Sequence, residues 1–549
     1  MGRRTINLNI FIFFVLAAIP LVWSLFAPGY FQTHDGDYFI IRLIEFDRVF
    51  KAGQIPPRWA PDLNYGYGLP VFNFFYPGYL YLGEILRFFN FSYTDSLKFL
   101  FIISFPLSAF GMYLFANKIF GRLPGIVSGL FYLFAPYRLL DVYVRGQIGE
   151  IMALTIIPYI FWIIVSISDK NHRRFLILDS LLLGLFLISH NIMVMIFMVV
   201  LLSYLLFLLF YQKFRIFLRQ YWLLFLLGFC FSAFFVLPAI FEKQNVILGQ
   251  QIAVNYQDHF PAAWQLVYSP WGYGYSEKGI SDGMSFQIGV AHLAVFLLIL
   301  FSLGAWILRL KKNISFEYRN IIFFFGTAAI SIFLTLEISK PIWEVVPYLP
   351  QVQFPWRLNA LTVFSLSIAA GGLMRFKFKY LLPVLLIVLF INVRNYCRPG
   401  YFERYNDKDY LNNYSLYRGS SSIADEFFPI WVEKKPGIVP EQKINTISGQ
   451  AAVLDYKDKT VSQEEKIEVK TEKALIEVNT TYYPGWKILV NNRQVPISIG
   501  KPYGTILFEV PQGIQEIHVF FQETSLRSLS NFLFLAGILL SVIALIVLK

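Results

Sequence analysis

The chain has 549 residues, of which 56% are hydrophobic and 15% charged, with 58 Phe and a mean hydropathy of +0.54; these values exclude a soluble multidomain enzyme and define a polytopic membrane protein. The formal net charge of +12 resides in Lys and Arg of short loops between apolar runs, where such residues anchor topology, so nucleic acid is not the expected partner. Cys230 lies inside an apolar run and Cys397 just after one, which supplies neither a disulfide framework nor a thiolate metal site.

The first apolar run, 9–27, follows Arg3 and Arg4 as a signal peptide would. It is long enough to span and lacks a convincing cleavage site, so it reads as a retained helix. Further spans are expected at 97–118, 124–140, 150–167, 174–190, 191–212, 220–241, 285–308, 319–337, 357–374, 379–394 and 527–548, twelve in all. Of these, 124–140 and 174–190 are short of the roughly 20 residues a bilayer requires. The segment 73–89, with Pro77, Gly78, Glu84 and Arg87, reads as an interfacial helix that does not cross.

The basic clusters Lys118/Arg122, Lys170/Arg173/Arg174, Lys213/Arg215/Arg219, Arg309/Lys311/Lys312 and Arg375/Lys377/Lys379 then fall in alternate connections. The positive-inside rule places them, and both termini, in the cytoplasm of a multi-pass plasma-membrane protein. The expected fold is α-helical and polytopic, with a membrane domain at 1–394 whose first outer loop is 28–96. An extracytoplasmic β domain follows at 395–526, and a last membrane helix at 527–549. The β assignment rests on two-residue alternation in Ile467-Glu468-Val469, Leu475-Ile476-Glu477-Val478 and Ile506-Leu507-Phe508-Glu509-Val510, with Asn491-Asn492 as a hairpin turn; a small sandwich is expected.

The polar motifs all fall on the outer side. His34-Asp35-Gly36-Asp37 sets carboxylates at headgroup depth, where Asp35 and Asp37 can take a proton from a hydroxyl or hold a divalent cation. The competing reading makes Asp35 the cap of a helix starting near Asp37. The turn-rich, aromatic stretch from Pro56 through Arg58 to Gly68 fits a binding loop and equally an interfacial one.

In Asp141-Val142-Tyr143-Val144-Arg145-Gly146-Gln147-Ile148-Gly149-Glu150, Arg145 matches phosphate geometry and Glu150 can complete an acidic pair with Asp35, or the two simply pair with each other. His190 at a helix end is either a structural hydrogen bonder or a contact to sugar or phosphate. Glu242 sits at another outer end, and the loop after it offers Gln265, Trp271 and Asp282, the stacking and hydrogen-bonding groups that sugars require. Arg357, after Gln353-Phe354-Pro355-Trp356, is a second phosphate candidate. Tyr482-Tyr483-Pro484-Gly485-Trp486 is either a sugar platform or a buried aromatic core.

As a set, Thr33-His34-Asp35, Gly53-Gln54-Ile55-Pro56-Pro57-Arg58-Trp59, Gly66-Tyr67-Gly68-Leu69-Pro70, Tyr143-Val144-Arg145-Gly146 with Glu150, His190-Asn191, Gln353-Phe354-Pro355-Trp356-Arg357 and Tyr483-Pro484-Gly485-Trp486-Lys487 resemble bacterial YfhO-like proteins over nearly the whole chain. They also resemble the membrane proteins labelled 6-pyruvoyl-tetrahydropterin synthase-related. The resemblance implies a GT-C glycosyltransferase with about twelve membrane helices that uses a polyprenyl-phosphate sugar. Asp35 matches the first-loop acid, Asp37 is a partner, and Glu150 matches the second acidic position. His34, Arg58, Arg145, His190, Glu242, Trp271 and Arg357 are the expected substrate contacts. Mg²⁺ or Mn²⁺ between Asp35 and Glu150 is left open, since superfamily members occur with and without metal.

The acceptor that this resemblance implies is an extracytoplasmic one, a cell-envelope glycan, a lipid or a protein. Pterin chemistry is disfavoured, because His34, His172, His190, His259, His292 and His518 are scattered, whereas a zinc site needs convergent ligands. Two other classes compete: a lipid or glycan transporter, which would place ionisable groups near the bilayer midplane, and a non-catalytic envelope-assembly protein.

Overall fold

Within a bilayer the backbone must satisfy its own N–H and C=O groups, and apolar runs of this length do so as helices. The computed structural model describes residues 2–167, 175–210, 214–249, 254–307, 315–375, 380–401, 403–412 and 425–547. Among these residues, eight segments are long and apolar enough to cross a membrane: Asn7–Phe26, Tyr93–Phe120, Arg122–Arg145, Ile148–Ser166, Asn191–Leu209, Tyr221–Phe241, Phe316–Thr335 and Ser525–Ile543. Shorter apolar helices at Leu176–Leu187, Val290–Leu303 and Pro383–Val393, and the wholly buried helix Asn359–Gly372, occupy the other expected spans. Of the basic clusters, Lys170, Arg173, Arg174, Lys213, Arg309, Lys311, Lys312, Lys377 and Lys379 lie outside the described residues, as does His172.

The short span expected at 124–140 is longer in the structure. Its helix Arg122–Leu133 is interrupted before Pro136, resumes as Pro136–Leu140 and widens into a π-helical turn, Asp141–Arg145. Pro136 lacks the N–H that a continuing helix needs, and Gly146 at φ +68° stops the chain in the left-handed region. The interfacial reading of 73–89 matches an eleven-residue helix, Gly78–Phe88, too short to cross. It buries Tyr79 and Leu80 while leaving Ile85 and Phe88 exposed.

Taken as successive crossings, the segments ending at Phe26, Arg145, Leu187, Phe241 and Thr335 and those starting at Tyr93, Ile148, Asn191, Asn359 and Ser525 share one membrane face. The first loop and the C-terminal sheet domain form an outer layer on that face.

The sheet contains β3 (Ile444–Ser448), β4 (Ala451–Lys459), β5 (Ser462–Thr481), β6 (Trp486–Val490), β7 (Arg493–Gln494), β8 (Ser498–Gly500) and β9 (Thr505–Phe521). Two short strands precede these, β1 (Tyr30–Phe31) and β2 (Arg404–Tyr405), which pair with each other. The seven strands are antiparallel in the order β3-β5-β9-β6-β7, with β4 on β5 and β8 on β9. The sandwich expected from the alternation is thus one hydrogen-bonded sheet, in which β5 and β9 run through both halves with a register shift between Val469 and Lys473. Ile467, Val469, Ile476, Val478, Phe508, Val510 and Val519 form the buried face. Asn491 and Asn492 take φ +47° and +61°, the two left-handed residues of the predicted hairpin.

The strands start only at Ile444. The chain before them runs back across the first loop, where β2 meets β1 and the Tyr410 hydroxyl donates to Asp37 at 2.7 Å.

Two buried clusters fasten this layer, and they contain two of the expected substrate contacts, Glu242 and Arg58. Glu242 accepts from Asn73 (3.2 Å), Tyr483 (3.1 Å), Thr524 (2.8 Å) and Arg527 Nε (2.9 Å). Arg58 donates to Glu523 (3.0 Å), the Phe234 carbonyl (2.8 Å) and Asn531 (3.0 Å). Both side chains are consumed in joining the first loop, the sheet domain and the last helix, because a buried charge is tolerated only when its bonds are met. Tyr483 and Trp486, 0% and 4% exposed, are core rather than platform. Replacing Glu242 by Ala leaves Arg527 buried without its carboxylate. The thermal unfolding midpoint in detergent should drop, in line with a loss of about 3–5 kcal/mol, and an unchanged midpoint would refute the fastening role.

Candidate functional site

The π-helical turn Asp141–Arg145 and the helix start at Ile148 aim Arg145 back at Glu150, which lies in the first turn of its helix and is 0% exposed. Arg145 grips the carboxylate in a fork, Nη1 to Oε2 at 2.8 Å and Nη2 to Oε1 at 2.7 Å, and also donates to Asp141 at 2.5 Å. Arg357, held in the short helical turn Pro355–Leu358, adds Nε to Oε1 at 2.9 Å, and the Tyr137 hydroxyl donates to Oε2 at 2.9 Å.

Aromatic faces complete the packing, with Trp356 at 4.7 Å from the Arg145 guanidinium carbon and Phe354 at 4.9 Å from that of Arg357. Arg357 Nη1 is bound to the Val352 carbonyl (3.1 Å) and to Gln353 (2.6 Å), which leaves Nη2 without a protein acceptor among the described residues. Both arginines lie against acidic groups, Arg145 against Glu150 and Asp141 and Arg357 against Glu150. The cluster therefore offers directed N–H donors whose positive field is opposed in part.

The first loop docks on this turn by main-chain bonds. His34 N donates to the Val144 carbonyl and Asp35 N to that of Arg145, both at 3.0 Å. The approach depends on Gly146, where a Cβ would lie 2.2 Å from Thr33 Oγ1. Thr33 Oγ1 accepts from Gly36 N at 3.0 Å and so takes the capping role, while Asp35 makes no side-chain cap bond. Its carboxylate is instead met by the Gln147 amide, whose oxygen accepts from Tyr76 at 3.4 Å. The Tyr76 ring lies 4.6 Å from that of His190.

His190 accepts from Met193 N through Nδ1 at 3.2 Å, so the proton of its neutral form sits on Nε2, which faces Glu150 at 3.9 Å. Asp35, Gln147, Tyr76, His190, Glu150, Arg145 and Arg357 thus form one connected constellation drawn from five stretches of chain.

The other expected residues lie around it. His34 donates to the Tyr273 carbonyl at 3.2 Å and stacks on Tyr275 at 4.3 Å; burial pushes its pKa down. Asp37 faces Tyr410, and burial pushes its pKa up. Trp271 is stacked on Tyr396 at 4.2 Å and borders a narrow crevice beside Tyr137 and Trp356, next to the arginines.

A cation shared by Asp35 and Glu150 does not fit this donor set. Both oxygens of Glu150 point at guanidinium groups that would repel it, and no group of three His, Cys, Asp or Glu converges among the described residues. Gln147, Tyr137 and Tyr76 were not anticipated as site residues. Gln147 had a signal, since it sits inside the Asp141–Glu150 motif, whereas the two tyrosines were indistinguishable from ordinary interfacial aromatics.

Burial lowers the His190 pKa to about 3, with Glu150 opposing part of the shift. The unfolded imidazole titrates near 6.5, so the unfolded state binds the extra proton first. The contribution to stability is complete above pH 6.5 and is lost as pH falls toward 3, by up to about 1.4 kcal/mol per pH unit. The unfolding midpoint should therefore fall between pH 7 and pH 5, and less steeply in His190→Asn, which keeps a capping acceptor; identical slopes would contradict the assignment.

The family model described as "6-pyruvoyl-tetrahydropterin synthase related domain; membrane protein" matches residues 72–398. No curated protein matches the sequence. Among solved structures, the chain is similar to the Archaeoglobus fulgidus oligosaccharyltransferase tethered with an acceptor peptide containing the NVT sequon. That likeness has 13% sequence identity and a TM-score of 0.37, covers 73% of this chain, and spans 56% of the length of the transferase. Because the family model covers more than half of the 549 residues, the chain belongs to the 6-pyruvoyl-tetrahydropterin synthase related family of membrane proteins.

Proposed function

We propose that the protein is a GT-C-like membrane glycosyltransferase that moves a sugar from a polyprenyl-phosphate donor to a hydroxyl of a glycan, lipid or protein acceptor at the extracytoplasmic surface. The observation that carries this reading is the convergence of Asp35, Gln147 and the Arg145–Glu150–Arg357 cluster at helix ends on a single membrane face. A lipid-linked substrate presents its phosphate at that depth, with its chain among the helices. Lys118 and Arg122, which flank the opposite helix ends, support a cytoplasmic assignment of that side and of both termini.

In this mechanism Arg357 and Arg145 direct N–H donors at the donor phosphate. Asp35, oriented by the Gln147 amide, takes the proton of the acceptor hydroxyl. The acceptor oxygen forms a bond to the anomeric carbon as the bond from that carbon to the phosphate oxygen breaks, and the polyprenyl phosphate leaves with the electron pair. One displacement inverts the anomeric centre. The scheme is written without a metal: directed N–H donors of the two arginines meet the charge that builds on the leaving phosphate.

The test is transfer of label from a radiolabelled polyprenyl-phosphate hexose to an acceptor by purified protein. Asp35→Asn should cut the rate by about 10²–10⁴-fold while the unfolding midpoint is retained. Gln147→Leu, which removes one orienting bond, should cost about tenfold. Wild-type protein that transfers no label, or an Asp35→Asn variant with full activity, would sink the proposal.

A further inference from the structure

Six arginines are buried among the described residues, and five of them, Arg58, Arg138, Arg145, Arg357 and Arg527, donate to protein oxygens. The sixth, Arg42 on the helix Gly36–Lys51, does not. It is 5% exposed, yet its guanidinium has neither an ion pair nor a hydrogen bond among the described residues. The acids of its own helix are drawn elsewhere. Asp37 accepts from Tyr410, Glu45 from the Asp62 N–H at 3.2 Å, and Asp47 from Lys51 and Tyr93.

Aromatic rings cover the cation instead. Its guanidinium carbon lies 3.9 Å from the centre of the Phe75 ring and 5.9 Å from that of Tyr38. A ring takes the flat face of a guanidinium and leaves the N–H groups at its edge, a fixed fork of donors. Those donors are not sealed in. Arg138 Nε, which is also unmet, is wholly occluded, whereas each Arg42 nitrogen keeps part of the small surface left to the residue. A charge withdrawn from water is costly unless an opposite charge meets it, so a buried cation with open donors is suited to an anion from outside.

The surroundings indicate which anion. Arg42 follows Asp35 by seven residues, two turns on the same helix face and about 10 Å along the axis. Phe75, under the guanidinium, stacks at 4.2 Å on Tyr76, whose hydroxyl donates to Gln147. The next residue, Leu43, packs against Gly83 of the interfacial helix Gly78–Phe88, which turns Ile85 and Phe88 outward. That places the cation in the headgroup layer, where phosphate esters are the common anions, and its fork matches two oxygens of one phosphate.

We infer that Arg42 anchors a phosphate-binding site, distinct from the Arg145–Arg357 cluster. The ligand chemistry is a phosphate group, carried by an amphiphile or free. The inference goes beyond the transferase reading and does not need it, because binding is read directly and not through turnover.

The test is the thermal unfolding midpoint of the purified full chain in a nonionic detergent, with octyl phosphate, inorganic phosphate, octanoate or octanol added at matched ionic strength. A ligand that binds only the folded chain raises the midpoint. Octyl phosphate should do so saturably. In Arg42→Met, which keeps a stem against Phe75 without the charge, the concentration giving half the rise should increase tenfold or more. Arg42→Lys keeps the charge, loses the fork and should fall between, so the test stands even where Arg42→Met does not fold. A rise with inorganic phosphate too supports a site for the anion alone, and a rise with octyl phosphate only supports one that also requires the apolar chain. The proposal is overturned if neither phosphate raises the midpoint, if octanoate or octanol acts as strongly as octyl phosphate, or if either variant responds as wild type does.

Discussion

The face that carries the first loop and the sheet domain is organised by one carboxylate. Glu150, in the first turn of Ile148–Ser166, receives two guanidinium groups and a phenol hydroxyl in a space closed to water. Removing an ion from water costs several kcal/mol even after relaxation, and the mutual attraction recovers this only when almost every donor and acceptor is met. The surroundings reflect that demand. The helix N-terminus favours the negative charge, while Trp356 and Phe354 lie against the guanidinium planes. With Arg145 fixed in this way, the backbone from Val144 to Gly146 becomes a rigid template on which His34 and Asp35 are hung by main-chain bonds. The position of Asp35 is therefore a consequence of Glu150.

The same device recurs at the end of Tyr221–Phe241, where Glu242 draws in Arg527 from the last helix and Tyr483 from the sheet domain. One carboxylate holds the first loop to the membrane helices, and the other holds the sheet domain to the same loop. Between them lies the helix Gly36–Lys51, with Asp35 at its start. The outer layer is thereby pinned at two buried points.

Much of this was legible in the sequence, and the exceptions share a cause. Apolar length and strand alternation are local properties, so the membrane helices, the β strands and the Asn491-Asn492 turn could be read directly. Asp35, Arg145, Glu150, His190 and Arg357 stood out because an ionisable group at a helix end in an apolar chain needs a reason to be there. The same signature at Arg58 and Glu242 could not show that their partners include Glu523, Asn531, Tyr483 and Arg527, because burial costs a charge the same whether its partners are substrate or protein. Gln147, Tyr137 and Tyr76 carry no charge and left no such mark. The return of the chain over the first loop, where Tyr30 pairs with Tyr405, has no local periodicity to betray it. The division of Arg122–Arg145 into helix and π-helical turn depends on where Arg145 must point, which is a tertiary fact.

On the proposed reading, the carboxylate held within the arginine cluster bears on turnover as well as binding. A sugar phosphodiester donor carries one negative charge, while the polyprenyl phosphate left behind is a monoester with about −1.5 to −2 at neutral pH. Two unopposed guanidinium groups would hold that product more tightly than the donor, and slow release would limit the cycle. With Glu150 opposing part of their charge, recognition rests more on the direction of the N–H bonds. Such bonds strengthen as charge builds on the leaving oxygen in the transition state without committing the full positive field of two guanidinium groups to the product. The buried acids that seem to spoil a phosphate site are, in this light, what keeps it from being trapped by its own product.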